Sequence, residues 1–325
     1  DDPDILYMGI PSLASSGTPG NGQVYHYAYT AAWAYVDPEM NYDPPALNAN
    51  YGTSIALSDY DTGTARWYTT HGAPGAPTPY GGAMYVATLV STGAWYANIG
   101  AQANAVLTGP VGSEFGHSSA ISNYLPASKT IRAVAGAPGA TDSDASLFRV
   151  VKGVSGTPWV WTTLFEVKVA VGALGTSVAM SADGTIVVAG DPANSRVHVY
   201  YNSGSETTWP ALGTVPAGTT STSELGQSVS IDRAATASSL NGTMIAVGEP
   251  GYDAPGRPGA GRVIVYEYSN GTWLTVLNPV VGSAENENFG ETVVLSGTEW
   301  FVAAGSRDLG RIAVYSTTEV PVAAT

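Results

Sequence analysis

The chain has 325 residues, 44% of them hydrophobic and only 12% charged, with 39 glycines, 21 prolines, 19 tyrosines and 8 tryptophans. That mixture holds enough apolar material for a core and suits short strands joined by many turns. The net charge of −14, from 26 acids against 12 bases, argues against a nucleic-acid partner and against docking on an anionic membrane surface.

Three landmarks then recur along the chain, and internal repetition of this kind governs the fold. The first unit, residues 5–50, opens on the apolar run Ile5–Met8 before Gly9-Ile10-Pro11. It continues with Val24-Tyr25-His26-Tyr27 and a strand around Trp33. Residues 51–114 begin with the landmark the first unit lacks, Tyr51-Gly52, followed by period-two alternation from Thr53 to Ser58. Gly72-Ala73-Pro74, Met84-Tyr85-Val86 and a strand around Trp95 follow. Residues 115–173 repeat the order with Phe115-Gly116, Gly136-Ala137-Pro138, Leu147-Phe148-Arg149-Val150 and Trp159 with Trp161. Residues 174–224 carry Leu174-Gly175, the run Ile186–Ala189 before Gly190-Asp191-Pro192, Val197-His198-Val199-Tyr200 and Trp209. Residues 225–288 carry Leu225-Gly226, Met244–Val247 before Gly248-Glu249-Pro250, Val263–Tyr266, the hairpin dipeptide Asn270-Gly271 and Trp273. Residues 289–325 carry Phe289-Gly290, Phe301–Ala304 before a degraded Gly305-Ser306, and Ile312–Tyr315, with no tryptophan strand after them.

Alternation marks strands with two different faces, and nearly continuous apolar runs mark strands buried on both. Each unit therefore reads as four antiparallel strands. One such sheet cannot bury both faces, but radial repetition lets neighbouring sheets cover each other. The expected fold is an all-β single domain over residues 1–325, a β-propeller of six four-stranded blades; a two-sheet sandwich is the alternative. The first unit lacks its first strand and the last lacks its fourth. The strand-like tail Glu319-Val320-Pro321-Val322 is expected to supply the missing strand of the first blade and close the ring of six within the chain; the alternative is an incomplete blade filled by another subunit.

The order Phe-Gly-x-(Ser/Thr)-Val, then Val-(Ala/Val)-Gly-Ala-Pro-Gly, then Gly-x-Val-x-Val-Tyr resembles the FG-GAP repeat family over residues 5–316. It is closer to extracellular repeats of microbes and algae than to integrin α-chains. The resemblance implies a β-propeller, commonly of seven blades, and calcium-binding Asp-rich loops. The candidate calcium ligands are Asp59 and Asp61 in Asp59-Tyr60-Asp61-Thr62-Gly63; Asp142-Ser143-Asp144 and Asp183-Gly184 are weaker, and none reaches an Asp-x-Asp-x-Asp-Gly pattern. Asp183-Gly184 also reads as a hairpin turn.

No signature of hydrolytic chemistry stands out. Cysteine is absent, and neither a Gly-x-Ser-x-Gly elbow nor a His-Glu-x-x-His stretch exists. His26, His71, His117 and His198 all sit on repeat landmarks and read as structural. Glu114, Glu224 and Glu287 each precede a landmark glycine pair, which points to a loop role. Asn241-Gly242-Thr243 and Asn270-Gly271-Thr272 satisfy the glycosylation sequon. Among the aromatics, Tyr60, Tyr80 and Tyr252 fall in loops and are candidate contacts for sugars or protein partners.

The start at Asp1 reads as a processed N-terminus or a boundary. The expectation is a secreted, non-enzymatic structural or interaction protein without a cofactor. It would assemble with copies of itself or other extracellular proteins in a surface fibre, sheath or coat. A carbohydrate-binding propeller and an enzyme such as a glycosidase are the alternatives.

Overall fold

The computed structural model describes residues 4–10, 23–29, 33–37, 50–64, 66–76, 81–90, 103–139, 146–156, 159–276, 278–296, 301–306 and 308–316. The fold is all-β, with antiparallel meander sheets that follow one another along the chain as the blades of a β-propeller. Six sheets occur among the described residues, in two compact units, residues 1–166 and 167–325.

In the first unit, sheet one holds β1 (Asp4–Ile10), β2 (Gln23–Tyr29) and β3 (Trp33–Asp37). Sheet two holds β4 (Ile55–Leu57), β5 (Arg66–Ala73), β6 (Ala83–Val90) and β7 (Ala103–Thr108). Sheet three holds β8 (Ser118–Ile121), β9 (Thr130–Ala137), β10 (Ser146–Val154) and β11 (Val160–Val169), which runs across the boundary between the units.

In the second unit, sheet four holds β12 (Val178–Met180), β13 (Ile186–Asp191) and β14 (Arg196–Tyr201). Sheet five holds β15 (Ser228–Ile231), β16 (Met244–Glu249), β17 (Arg262–Ser269), β18 (Thr272–Thr275) and the short β19 (Val280–Val281), which also pairs with β17. Sheet six holds β20 (Thr292–Leu295), β21 (Phe301–Ser306) and β22 (Arg311–Ser316).

The repeat landmarks are the devices that stack one sheet on the next. The glycine of each aromatic-Gly or Leu-Gly pair has φ between +87° and +101°, a region that disfavours side chains. Its N–H closes the sheet by donating to the glycine that ends the second strand, as from Gly226 to Gly248 at 3.0 Å. Its carbonyl faces the preceding sheet. A Cβ on Gly9, Gly72, Gly190 or Gly248 would lie 1.8–2.0 Å from the carbonyl oxygen of Gly52, Gly116, Gly226 or Gly290 respectively. The serine two residues past the landmark glycine fixes the same contact: Ser54, Ser177 and Ser228 donate to Gly116, Gly226 and Gly290 carbonyls at 2.7–2.9 Å. Apolar layers fill the space between sheets, with Ile186, Val188, Val229, Ile245, Val247 and Ile264 in one continuous cluster.

Two expected outer strands are corrected. That of residues 51–114 is β7, several residues beyond Trp95, which lies outside the described residues. The strand expected around Trp209 shrinks to one bridge between Tyr200 and Ala211. Pro210 and Pro216 supply no N–H there, and Gly213 turns the chain away at φ +65°.

Candidate functional site

The candidate calcium ligands are engaged within the chain. Asn123 donates to the Asp59 carboxylate at 2.6 Å and receives the Asp59 N–H at 2.9 Å, clasping sheet two to sheet three. The Asp61 carboxylate caps its own turn, accepting from the Gly63 and Thr64 N–H groups at 3.2 Å and from the Thr64 hydroxyl. Among the described residues no group of three or more His, Asp or Glu side chains is placed to hold a metal. Asp183 anchors the β12–β13 hairpin, taking the Thr185 N–H at 2.9 Å.

Two of the loop aromatics make contacts within the chain. Tyr60 lies against Trp67 with ring centroids 4.4 Å apart. Tyr252 carries the Arg262 guanidinium 4.1 Å above its ring. Tyr80 lies outside the described residues, as do Asp142 and Asp144. The two sequon asparagines, distant in sequence, meet: the Asn270 N–H donates to the Asn241 side-chain oxygen at 2.9 Å. Asn270 and Gly271, both at positive φ, form the hairpin between β17 and β18. Thr272 is exposed, whereas Thr243 is buried.

Glu114 and Glu224 sit at φ +57° and +58° in the turn before their landmark glycines, a loop role. Glu287 is different. Its carboxylate is fully buried and collects the Ala284 N–H at 3.0 Å, the Ser283 N–H and hydroxyl, and Arg311 at 2.8 Å. Burial pushes this carboxyl up, but the donors from Ala284, Ser283 and Arg311 outweigh it and hold it below the usual range.

Sequence reasoning missed a related latch in sheet five. Glu249, inside its Gly-x-Pro landmark, is fully buried and pairs with Arg262 while receiving the Thr219 N–H at 2.9 Å. The register of β16 on β17 sets Glu249 opposite Arg262, and a charged pair at that register was the available signal. Replacing Arg262 with Met leaves a buried carboxylate without its cation. The expected loss is about 3 kcal/mol in urea denaturation, partly recovered in the Glu249→Gln/Arg262→Met double variant. Glu249 and Glu287 each lock a loop through the backbone N–H groups they receive.

The last sheet is exposed on one face. Val293, Leu295, Val302 and Ala304 turn inward onto sheet five, while Val294, Ile312 and Val314 are 63, 80 and 64% exposed. Val294, Ala303 and Val314 are in register across β20, β21 and β22, and Ile312 stands beside them opposite Gly305. Gly305 is the counterpart of Gly190 and Gly248. Among the described residues, the nearest neighbours of a Cβ on it would be Thr292, Arg311 and Ile312 of its own sheet. At the other end of the chain, Met8 of β1 is 44% exposed.

No family model matches this sequence, and no curated protein matches it. Among solved structures, one described as a candidate 6-phosphogluconolactonase from Bacteroides uniformis covers 97% of this chain and 92% of its own, at 10% identity and a TM-score of 0.46. The β-propeller domain of Cps50 (Swd1) from Myceliophteria thermophila covers 90% of this chain and 93% of its own, at 9% identity and a TM-score of 0.43. Neither overlap is close enough to carry an activity across.

Proposed function

We propose that the chain is an FG-GAP-like, secreted structural subunit without catalytic activity, which assembles by laying its last sheet on the first sheet of another copy. The observation that supports this is the exposed apolar row Val294, Ile312 and Val314 on a sheet whose opposite face is stacked in the manner of the repeat. Sheet-on-sheet stacking is the contact that recurs within each unit, so a further sheet of the same repeat fits that face. First-on-last contacts between copies are heterologous and build open fibres unless the rotation closes them. The low charge lessens the desolvation cost of such packing.

Size-exclusion chromatography with light scattering tests the reading. The expected result is association that grows with concentration, and its loss in Ile312→Asp and Val314→Asp, which place a charge on the exposed face without touching the core. A wild-type chain that stays monomeric at high micromolar concentration, or variants that associate like wild type, would sink the proposal.

A further inference from the structure

Sheets four and five are built alike up to their outer edges, and there they part. In β14 the register sets Arg196, His198 and Tyr200 opposite Asp191, Ala189 and Val187 of β13. The intervening residues turn their backbone groups outward. Leu212 donates to the Val199 carbonyl at 2.8 Å and Gly218 to the Ser195 carbonyl at 3.0 Å. Sheet five repeats both contacts: Val276 donates to Val265 at 3.1 Å, and Gly282 to Gly261 at 2.9 Å. Between those fixed points its chain folds back as β19, with Val280 opposite Val263 and Val281 opposite Arg262.

The equivalent stretch of sheet four has the same length but does not close. Pro216 stands where Val280 stands, and it has no N–H to give the Val197 carbonyl. Gly213 instead carries the chain outward at φ +65°. The N–H and carbonyl of Val197, and the N–H of Val199, find no hydrogen-bond partner among the described residues. Val197 is 6% exposed, and buried backbone groups are nearly always paired. Val197 and Val199 line a cavity of about 410 Å³ together with Gly213, Val215, Pro216 and Ala217, with Arg196 as its charged lining residue. The volume exceeds what one or two waters fill, at about 30 Å³ each, and lies within the range of small-ligand pockets.

We infer that this outer edge of sheet four is a binding site for a short acylated peptide with a free carboxylate. One residue of the ligand exchanges both backbone hydrogen bonds with Val197, as Val280 is placed to do with Val263 in sheet five, and the carboxylate lies on Arg196. Main-chain pairing at a sheet edge supplies the affinity, and the ion pair selects the charged end. This site shares no residue with the exposed row of sheet six and does not depend on self-assembly.

The probes are N-acetyl-Ala-Ala, its C-terminal amide, and its analogue N-methylated at both amides, added at millimolar concentration to the Ile312→Asp chain. The readouts are the ¹H–¹⁵N signals and hydrogen exchange of Val197 and Val199. The expected result is that N-acetyl-Ala-Ala shifts and protects both amides and that the N-methylated analogue does not. The C-terminal amide should bind roughly three- to tenfold more weakly, and Arg196→Gln should remove that difference. Pro216→Val should restore the missing N–H, close the edge as in sheet five, and abolish binding without loss of stability. The proposal is overturned if the peptide leaves the Val197 amide unchanged, if the N-methylated analogue protects it equally, or if that amide is already protected without peptide.

Discussion

Gly248→Ala is expected to lower the stability of the second unit by on the order of 4–5 kcal/mol, among the largest effects of any single methyl group in this chain. The new Cβ would lie 1.9 Å from the Gly290 carbonyl oxygen and 2.9 Å from its carbon, so the neighbouring sheet's backbone must move. That carbonyl also accepts the Ser228 hydroxyl at 2.7 Å, and displacing it breaks the bond that holds sheets five and six in register. Gly256→Ala is the control. Gly256 has φ +72° with nothing within 4 Å of its Cβ position, so it carries only the left-handed strain of about 1–2 kcal/mol. Urea denaturation followed by tryptophan fluorescence measures both. Equal losses in the two variants would mean that the glycine-to-carbonyl approach does not hold the sheets together.

Acid should weaken the first unit through His71. This imidazole is fully buried, paired through Nδ1 with the Tyr51 hydroxyl and through Nε2 with the Thr69 hydroxyl at 2.9 Å. Burial pushes its pKa from 6.5 down to about 3. The folded chain keeps the ring neutral while the unfolded chain protonates it below pH 6.5, so the unfolded state binds more protons between these values. Stability is therefore fully present above pH 6.5 and falls as the pH drops towards 3, by at most about 5 kcal/mol. In His71→Gln the amide can still bond Tyr51 and Thr69 but does not titrate. The variant should lose about 1–2 kcal/mol at pH 7 and show a shallower decline between pH 6.5 and 4 in denaturation midpoints. Burial also lowers the pKa values of His117 and His198, but those groups are common to both chains, so the difference in slope belongs to His71. Parallel pH profiles would refute the assignment.

Most of the architecture was legible in the residues because each landmark has one mechanical use. The glycine of the aromatic-Gly pair supplies a positive φ, and the Gly-x-Pro glycine makes room for the next sheet's carbonyl. Such local requirements repeat whenever the sheet repeats, and repetition is visible without coordinates. Asn270-Gly271 was readable for the same reason, since both residues of the β17–β18 turn need positive φ. The candidate sites were less legible. Asp59 and Asp61 read as candidate cation ligands in a row of letters, and the packing of sheet two on sheet three adds what the letters do not show, the bond from Asn123 to the Asp59 carboxylate. Nothing local announces that Glu249 is buried beside Arg262, because the pairing depends on strand register across a long loop.

The residue pattern by itself determined the strand type, the order of the sheets and the glycines between them, because these follow from backbone sterics and period-two burial within each unit. Tertiary structure alone decided which edges and faces remain unpaired. Pro216 and Val280 occupy matching places in two copies of one motif, and the open edge at Val197 emerges only when their backbones are laid against β14 and β17. The exposed row of sheet six is likewise set by what does or does not stack on it. Burial is a relation between segments far apart in the chain, and identical strand patterns stand equally well in a covered sheet or an open one.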